Sequence, residues 1–269
     1  MIVSVVAAKG GVGKTTTAVN LAGALARWGH RVLLVDLDGQ ASASLSLGLE
    51  RADLAPSSAD VLLRGLPARE AIRPTRAANL WILPASADLL SAELELGPLR
   101  SKEGRLAAAL ESAKAPFAFV FVDCPPGLGL LARNALYAAD TYLVPAIPQY
   151  LAVEGLENLQ LAAQRLGLRS DRRLPLLGIL PTMVDYRTRA TTENMARIRE
   201  RFARDVFAVE IRVNTTLAEA PEAGLTIFEH DPSATGARAY ELAAEELLLR
   251  VQEMGLPGRE AAVRELEVT

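Results

Sequence analysis

The chain has 269 residues, of which 50% are apolar, and its formal net charge at pH 7 is −3. This size suits one large α/β domain or two small ones, and the composition excludes a largely disordered chain and one that is basic overall. The single cysteine, Cys124, excludes an intrachain disulfide and a metal cluster ligated by the cysteines of one chain, as expected in a reducing cytosol. No apolar run is long enough for a transmembrane helix, and the N-terminal stretch MIVSVVAAKGG is expected to form a first strand rather than a signal peptide.

Apolar runs and helical periodicity alternate along the chain. Buried strands are predicted over 2–7, 31–38, 79–85, 117–126, 141–148 and 175–185, with a shorter strand over 206–211. Helices are predicted over 15–29, 87–96, 102–114, 128–139, 153–166, 190–203 and 235–253. The alternation predicts an α/β fold with a doubly wound, mostly parallel sheet flanked by helices. We expect one domain over 1–255, with short helices and loops over 50–78 and a tail over 256–269.

A glycine-rich turn, AKGGVGKTT, joins the first predicted strand to the first helix over 8–16. Such a turn directs backbone N–H groups at phosphate oxygens, and the following helix presents its positive end to the same anion. The common pattern G-x-x-x-x-G-K-[ST] fails at Ala8, whereas the variant K-G-G-x-G-K-[ST] fits fully. Lys14 is predicted to reach the β- and γ-phosphates, and the Thr15 hydroxyl is predicted to bind Mg²⁺. The predicted phosphate-binding residues are Gly10, Gly11, Val12, Gly13, Lys14, Thr15 and Thr16.

This segment resembles the deviant Walker A ATPases and, within them, the ParA-type partition ATPases. The resemblance implies a P-loop NTPase fold with ATP and Mg²⁺ as cofactors and slow hydrolysis of ATP to ADP and phosphate. It also implies that Lys9 is the signature lysine, which reaches across a homodimer to the phosphates of the partner subunit's ATP. A lysine from each side would neutralise phosphate charge at the seam, so dimerisation would report the nucleotide state.

Two further segments resemble the same family. DLDGQAS (36–42) resembles its D-x-D-P-Q segment, which implies that Asp38 positions the attacking water and that Asp36 supports the metal shell; Gly39 replaces the usual proline and is expected to loosen the loop. FVFVDCPPGLG (119–129) resembles its Walker B segment, in which Asp123 would hold Mg²⁺ through water. The alternative for Asp36 and Asp38 is a solvated strand end, and Cys124 is most simply a small buried residue.

The C-terminal half carries more selective matches. GILPTMVDYRT (178–188) resembles the ParA-type G-[IV]-L-x-T-M-x-D-x-R-T segment, and the stretch 217–245 resembles the family's L-S-E-A-P…Y-D-P-x-S-x-G-A-x-A-Y segment. Met183 and Asp185 follow a strand end and are candidates to border the adenine, although simple packing explains them equally well.

A basic region over 187–212 holds seven arginines against four acidic residues. Clustered arginines suit non-specific binding to DNA phosphates, which the resemblance implies for the ATP dimer. The alternative is a solvated helix face with ion pairs between residues four apart. The run IRVNTTLAEAP (211–221) departs from the family's I-P-R-N, so the usual DNA arginine is missing or relocated. The DNA-binding candidates are Arg187, Arg189, Arg197, Arg201 and Arg212.

Three other functions are open to an ATPase with these motifs. A MinD-like membrane ATPase needs a basic amphipathic C-terminal helix, which GREAAVRELEVT does not provide, so no membrane partner is expected. A cluster carrier of the nitrogenase iron-protein type needs cysteines at a subunit seam, whereas the single cysteine here, Cys124, lies in the segment that resembles Walker B. A positioning ATPase for protein cargo would share all of the chemistry.

The sequence therefore favours a cytoplasmic, nucleoid-associated partition ATPase. A ParB-type centromere-binding protein would stimulate its hydrolysis and release it from DNA. Because the chain starts almost at the first strand, we expect no N-terminal helix-turn-helix extension and no operator binding.

Overall fold

A computed structural model describes residues 1–99, 101–169 and 174–257. Within them seven strands form one sheet in the order β3-β4-β2-β5-β1-β6-β7. The strands are β1 Ile2–Val5, β2 Val32–Asp36, β3 Arg73–Pro74, β4 Leu80–Leu83, β5 Phe119–Asp123, β6 Thr141–Ala146 and β7 Leu176–Pro181. All neighbours are parallel except β3, which pairs antiparallel with β4 at one edge. The prediction of a doubly wound, mostly parallel sheet is confirmed.

Eleven α-helices lie in the described residues. They are α1 Lys14–Arg27, α2 Ser42–Ser46, α3 Ala68–Ala71, α4 Ala92–Leu96, α5 Arg105–Glu111, α6 Leu130–Ala138, α7 Ala152–Arg169, α8 Arg189–Phe202, α9 Thr216–Glu219, α10 Ile227–His230 and α11 Thr235–Glu253. Short elements were expected between residues 50 and 78, and they include a 3-10 turn over Arg51–Asp53 and a π-helical turn over Asp60–Arg64. A further 3-10 turn, Ala87–Ser91, precedes α4, where the sequence predicted one continuous helix.

The sheet is buried on both faces, which explains the unbroken apolar runs of its strands. In β1, Val3 and Val5 face the core shared with α1 and α11, whereas Ile2 faces the core shared with α5, α6 and α7. Successive side chains of β2 and β5 divide between the two cores in the same way. Because these strands are parallel and adjacent, the residues that follow them gather at one edge of the sheet.

The predicted strand over 206–211 is wrong. In its place the described residues show two isolated bridges, which pair Val206 with Ile179 and Arg212 with Val184. Between them the N–H groups of Ala208 and Val209 donate to the Glu246 carboxylate at 3.0 and 3.1 Å. The N–H groups of Phe207 and Ile211 still donate to β7 at 2.8 and 2.9 Å, but the α11 carboxylate takes the two N–H groups between them, so the pairing with β7 is interrupted.

The prediction of a tail over 256–269 lies mostly outside the described residues, which end at residue 257. In the part of the chain that the structure describes, no helix combines the length and apolar character needed to cross a bilayer.

Candidate nucleotide site

The glycine-rich turn lies between β1 and α1, where the sequence predicted it. Gly11 and Gly13 have φ angles of 72° and 80°, a left-handed conformation that side chains strongly disfavour. Gly13 precedes α1, and no side chain caps the helix. The first turn of this 14-residue helix also lacks acidic residues, so its N–H groups and positive dipole end are open to an anion. The loop therefore has the conformation that a phosphate group requires.

The two lysines of the turn differ in environment. Lys14 is only 7% exposed, and its charge lies close enough to Asp123 to oppose the rise in pKa that burial imposes on that carboxyl. Lys9 is exposed and lines a shallow apolar groove with the start of α7, and it forms no ion pair with the described residues. The two lysines therefore differ in position: Lys14 lies against the buried carboxylates, and Lys9 lies at the surface.

Thr15 and Asp123 are joined by a hydrogen bond of 2.7 Å from the Thr15 hydroxyl to Asp123 Oδ2. The second oxygen, Oδ1, is buried and accepts no hydrogen bond from the described residues. An unsatisfied buried carboxylate oxygen is costly, and a hard cation or its bound water would satisfy it. The donor set of one hydroxyl and one carboxylate thus fits Mg²⁺.

Asp36 lies beside Asp123 because the two residues are register partners at the ends of β2 and β5. Asp36 Oδ2 accepts hydrogen bonds from the N–H and the hydroxyl of Ser44 at 2.9 and 2.8 Å. Burial raises the pKa of Asp36 to about 6 despite these bonds. Burial and the neighbouring Asp36 charge raise the pKa of Asp123 well above its ordinary value. The site therefore concentrates negative charge that a cation would relieve.

Asp38 occupies the loop after β2. It is half-buried, its N–H donates to Asp36 Oδ1 at 3.1 Å, and its Oδ1 accepts the Gln40 N–H at 3.0 Å. Its other carboxylate oxygen, Oδ2, has no hydrogen bond among the described residues that the structure records. The loop thus holds the Asp38 carboxylate beside Asp36 and Asp123, and hydrogen bonds to the loop backbone orient it.

A cavity of about 230 Å³ continues from the glycine turn toward the end of β7. Met183 lines it, with a left-handed φ of 50°, whereas Asp185 does not line it. Asp185 instead binds the Arg187 side chain at 2.6 to 3.0 Å, and this partner lowers the pKa of Asp185 to about 2. The structure brings Met183 to the site and leaves Asp185 outside this cavity.

Of the other residues around this cavity, the sequence singled out only Gly13 and Thr16, as phosphate contacts, and Arg212, as a DNA contact. The lining also includes Gly13, Thr16, Thr182, Ile211, Arg212, Val213, Asn214, Leu217, Ala218 and Tyr240. Thr182 ties the cavity to the turn, because its hydroxyl donates to the Val12 carbonyl at 2.9 Å. Its position directly after β7 was a signal that could have found it, since ligands bind beyond strand ends.

The arginine candidates lie along α8 and its flanking loops, most of them in ion pairs. Arg187 pairs with Asp185, Arg189 with Glu193 and Arg201 with Glu157. Arg212 stacks 5.6 Å from the centre of the Tyr186 ring and lines the cavity near the glycine turn. Arg197 is exposed and has no ion pair among the described residues. The candidates therefore do not form one uniform surface.

The AAA_31 family model, described as an AAA domain, matches residues 1–175. The sporulation initiation inhibitor protein Soj of Bacillus subtilis is 39% identical over 91% of this chain and 97% of its own length. The chromosome-partitioning ATPase Soj of Thermus thermophilus is 43% identical over 91% of this chain and 94% of its own length. A solved structure of cobyrinic acid a,c-diamide synthase from Mycobacterium smegmatis, with bound ATP analogue and magnesium, has a TM-score of 0.80. It is 33% identical and covers 95% of this chain and 97% of that one.

The fold and the site define a P-loop ATPase with a doubly wound sheet. The chain belongs to the Soj/ParA family of chromosome-partitioning ATPases.

Proposed function

We propose that the chain is an Mg²⁺-dependent ATPase that binds non-specific DNA as an ATP dimer and is released when a ParB-type partner stimulates hydrolysis. The observation that carries the ATPase part is the buried group formed by Lys14, Asp36 and Asp123, with the half-buried Thr15 bonded to Asp123, beside a turn whose glycines adopt left-handed φ angles. The related solved structure that holds an ATP analogue and magnesium supports the same cofactors.

The chain's own residues divide the work of phosphoryl transfer. Lys14 and the N–H groups of Gly10–Thr16 would hold the phosphates, and Thr15 and Asp123 would hold Mg²⁺ with Asp36 beside them. Bound Mg²⁺ supplies neutralisation of the charge on the β- and γ-phosphate oxygens. Asp38 would orient the attacking water through its free carboxylate oxygen. Positioning and charge neutralisation thus supply most of the catalysis.

The nucleoside part of ATP would occupy the cavity beside Met183 and Thr182, which opens from the same glycine turn. Asp185 is better explained as the partner of Arg187 than as an adenine contact. Of the two predicted adenine contacts, Met183 therefore fits the proposed nucleoside pocket and Asp185 does not.

The proposed dimer depends on Lys9. Its exposure and its lack of an ion pair among the described residues leave its charge available to the phosphates of a second subunit. This fits a homodimer whose seam closes only around ATP, because ADP lacks the γ-phosphate.

The proposed DNA surface depends on the arginines of α8. Their carboxylate partners do not block this use, because exposed ion pairs contribute only about 0 to 1 kcal/mol and exchange readily for phosphate contacts. Arg197 has no such competitor among the described residues. We therefore expect Arg197, together with Arg189 and Arg201, to contribute more than Arg212, which the nucleotide cavity uses.

The experiment that tests the proposal measures binding to a random-sequence duplex with Mg²⁺ and either ATP or ADP, at two salt concentrations. Anionic liposomes are tested in parallel. We expect ATP-dependent binding that weakens with salt, and each lost phosphate contact should reduce the slope of log K against log salt by about 0.9. Arg197→Ala should reduce this slope.

The matched control is Arg69→Ala. Arg69 is an exposed arginine on α3, which adjoins β3 at the sheet edge opposite β7. Equal losses in the two variants would contradict the assignment of α8. An ATP dimer that ignores DNA but binds liposomes or a protein cargo would favour the MinD-like or cargo-positioning alternative.

A further inference from the structure

The loop that carries Asp38 is covered by a residue from a distant part of the chain. Gly39 is buried, although its neighbour Gln40 is exposed. A Cβ at Gly39 would lie 2.8 Å from both Cγ and Cδ2 of Leu90 and 3.1 Å from the Leu90 N atom. Real Cβ atoms do not approach carbon this closely, so Leu90 occupies the space that any side chain at position 39 would need.

The turn that carries Leu90 is anchored in the core by Leu89, which is 2% exposed, and it makes two polar contacts with the segment before it. The Ser57 hydroxyl donates to Ser86 Oγ at 3.0 Å, and Arg64 forms an ion pair with Asp88 at 2.8 Å. Leu90 lies directly beyond these two attachments, within the 3-10 turn Ala87–Ser91. The Leu90 side chain, which is 66% exposed, therefore lies over the Asp38 loop with one part against Gly39 and the rest facing solvent.

Hydrogen bonds close the turn that carries Asp38, but this turn contains a glycine. The Asp38 N–H donates to Asp36, its carboxylate accepts the Gln40 N–H and its carbonyl accepts the Ala41 N–H at 2.8 Å, whereas glycine at position 39 leaves the backbone inside the turn unusually free. An apolar contact on the glycine narrows the conformations that this segment samples.

We propose that Leu90 is a positioning residue for ATP hydrolysis, which acts by packing on Gly39 and thereby holding the Asp38 carboxylate in place. Gly39 and Leu90 then form a matched pair, small against large. This inference depends on the proposed role of Asp38 in orienting water.

The test compares single-turnover ATP hydrolysis and ATP affinity in the full-length protein. Leu90→Ala should lower the hydrolysis rate about two- to fivefold, the scale set by freeing one glycine-containing segment, with ATP affinity unchanged. Leu90→Met, which restores length and apolar character, should recover most of the rate. Leu94→Ala is the control, because Leu94 is a similarly exposed leucine, at 82% against 66% for Leu90, but has no atom among those nearest Gly39.

A double substitution separates positioning from a general structural effect. Gly39→Ala should slow hydrolysis in the native background, where the new Cβ meets Leu90 Cγ and Cδ2. In the Leu90→Ala background both atoms are gone, so the double variant should hydrolyse faster than the product of the single effects predicts. A rate for Leu90→Ala equal to that of Leu94→Ala, or single effects that simply multiply, would overturn the inference.

Asp38→Ala separates the role of Leu90 from the proposed role of Asp38. If it removes hydrolysis while Leu90→Ala leaves the rate unchanged, only the role of Leu90 fails. If Asp38→Ala hydrolyses ATP at the native rate, the proposed role of Asp38 fails and the inference fails with it.

Discussion

At the residue scale, the carboxylates at the ends of β2 and β5 dominate the electrostatics of the site. Asp36 and Asp123 are fully buried and paired in register, and both pKa values are raised. Without a bound cation, these two carboxyl groups lower the stability of the folded protein at pH values above the ordinary pKa of a carboxyl group. The site is therefore prepared for a ligand at some cost to the stability of the free protein.

This cost predicts a pH dependence. Burial raises the pKa of Asp36 from 3.8 to about 6, so between these values the folded protein binds a proton that the unfolded chain releases. The free energy of unfolding of the nucleotide-free protein should therefore fall as pH rises from about 4 to about 6, by on the order of 1–3 kcal/mol. Urea unfolding across this range measures the fall, and Asp36→Asn should make it smaller.

Asp185→Asn is the matched control for the pH experiment. Arg187 lowers the pKa of Asp185 to about 2, so the stability that this exposed carboxylate contributes is present above 3.8 and is lost only as pH falls toward 2. Its removal should leave the slope between pH 4 and 6 unchanged. An identical slope in the native protein and Asp36→Asn would show that Asp36 does not titrate as described.

At the element scale, β7 depends on a close approach between backbone and ring. A Cβ at Gly178 would overlap Phe207 Cε2 and lie 3.0 Å from Arg250 Nη1. The Arg250 guanidinium stacks 4.3 Å from the centre of the Phe207 ring and donates to the carbonyls of Leu177, Arg204 and Val206. This arginine thus joins α11 to β7 and to the segment that replaced the predicted strand.

Gly178→Ala should therefore destabilise the fold by about 1–3 kcal/mol, because neither the buried ring nor the bonded arginine can move freely. Denaturant unfolding measures the loss. Gly155→Ala in α7 is the control: the nearest atom to its Cβ is 3.8 Å away, and alanine should stabilise the helix by about 0.5–1 kcal/mol. Equal stability of Gly178→Ala and the native protein would mean that the Phe207 packing adapts.

The same elements show what the sequence could and could not predict. The sheet and most helices were predictable because strands buried on both faces are continuous apolar runs. The interruption of the segment 206–211 was not predictable, because Glu246, which takes the N–H groups of Ala208 and Val209, lies in a helix far along the chain. The sequence placed Asp36 and Asp123 at strand ends, but it did not show that the two strands are neighbours, and the contact between Gly39 and Leu90 joins segments that no local pattern relates.

At the scale of the whole molecule, the exposed Lys9 of the glycine turn has no ion-pair partner among the described residues of its own chain. Lys9 and Lys14 lie in one loop, but only Lys14 faces the buried carboxylates. Under the proposed function, one lysine serves the site within a subunit and the second meets phosphate brought by a partner subunit. Nucleotide binding and dimerisation should therefore depend on different lysines.

Substitution of each lysine tests this division. Lys14→Ala should abolish ATP binding measured by calorimetry, because it removes the cation that faces the phosphates. Lys9→Ala should keep ATP affinity but lose the ATP dimer measured by light scattering, since two unneutralised phosphate tails would face each other across the seam. Lys114→Ala is the control, because Lys114 is ion-paired with Glu111 after α5 and lies outside the glycine turn. A dimer that persists in Lys9→Ala would contradict the role of Lys9 across the seam while leaving the nucleotide site intact. Loss of ATP affinity in Lys9→Ala would instead place both lysines in the site of one subunit.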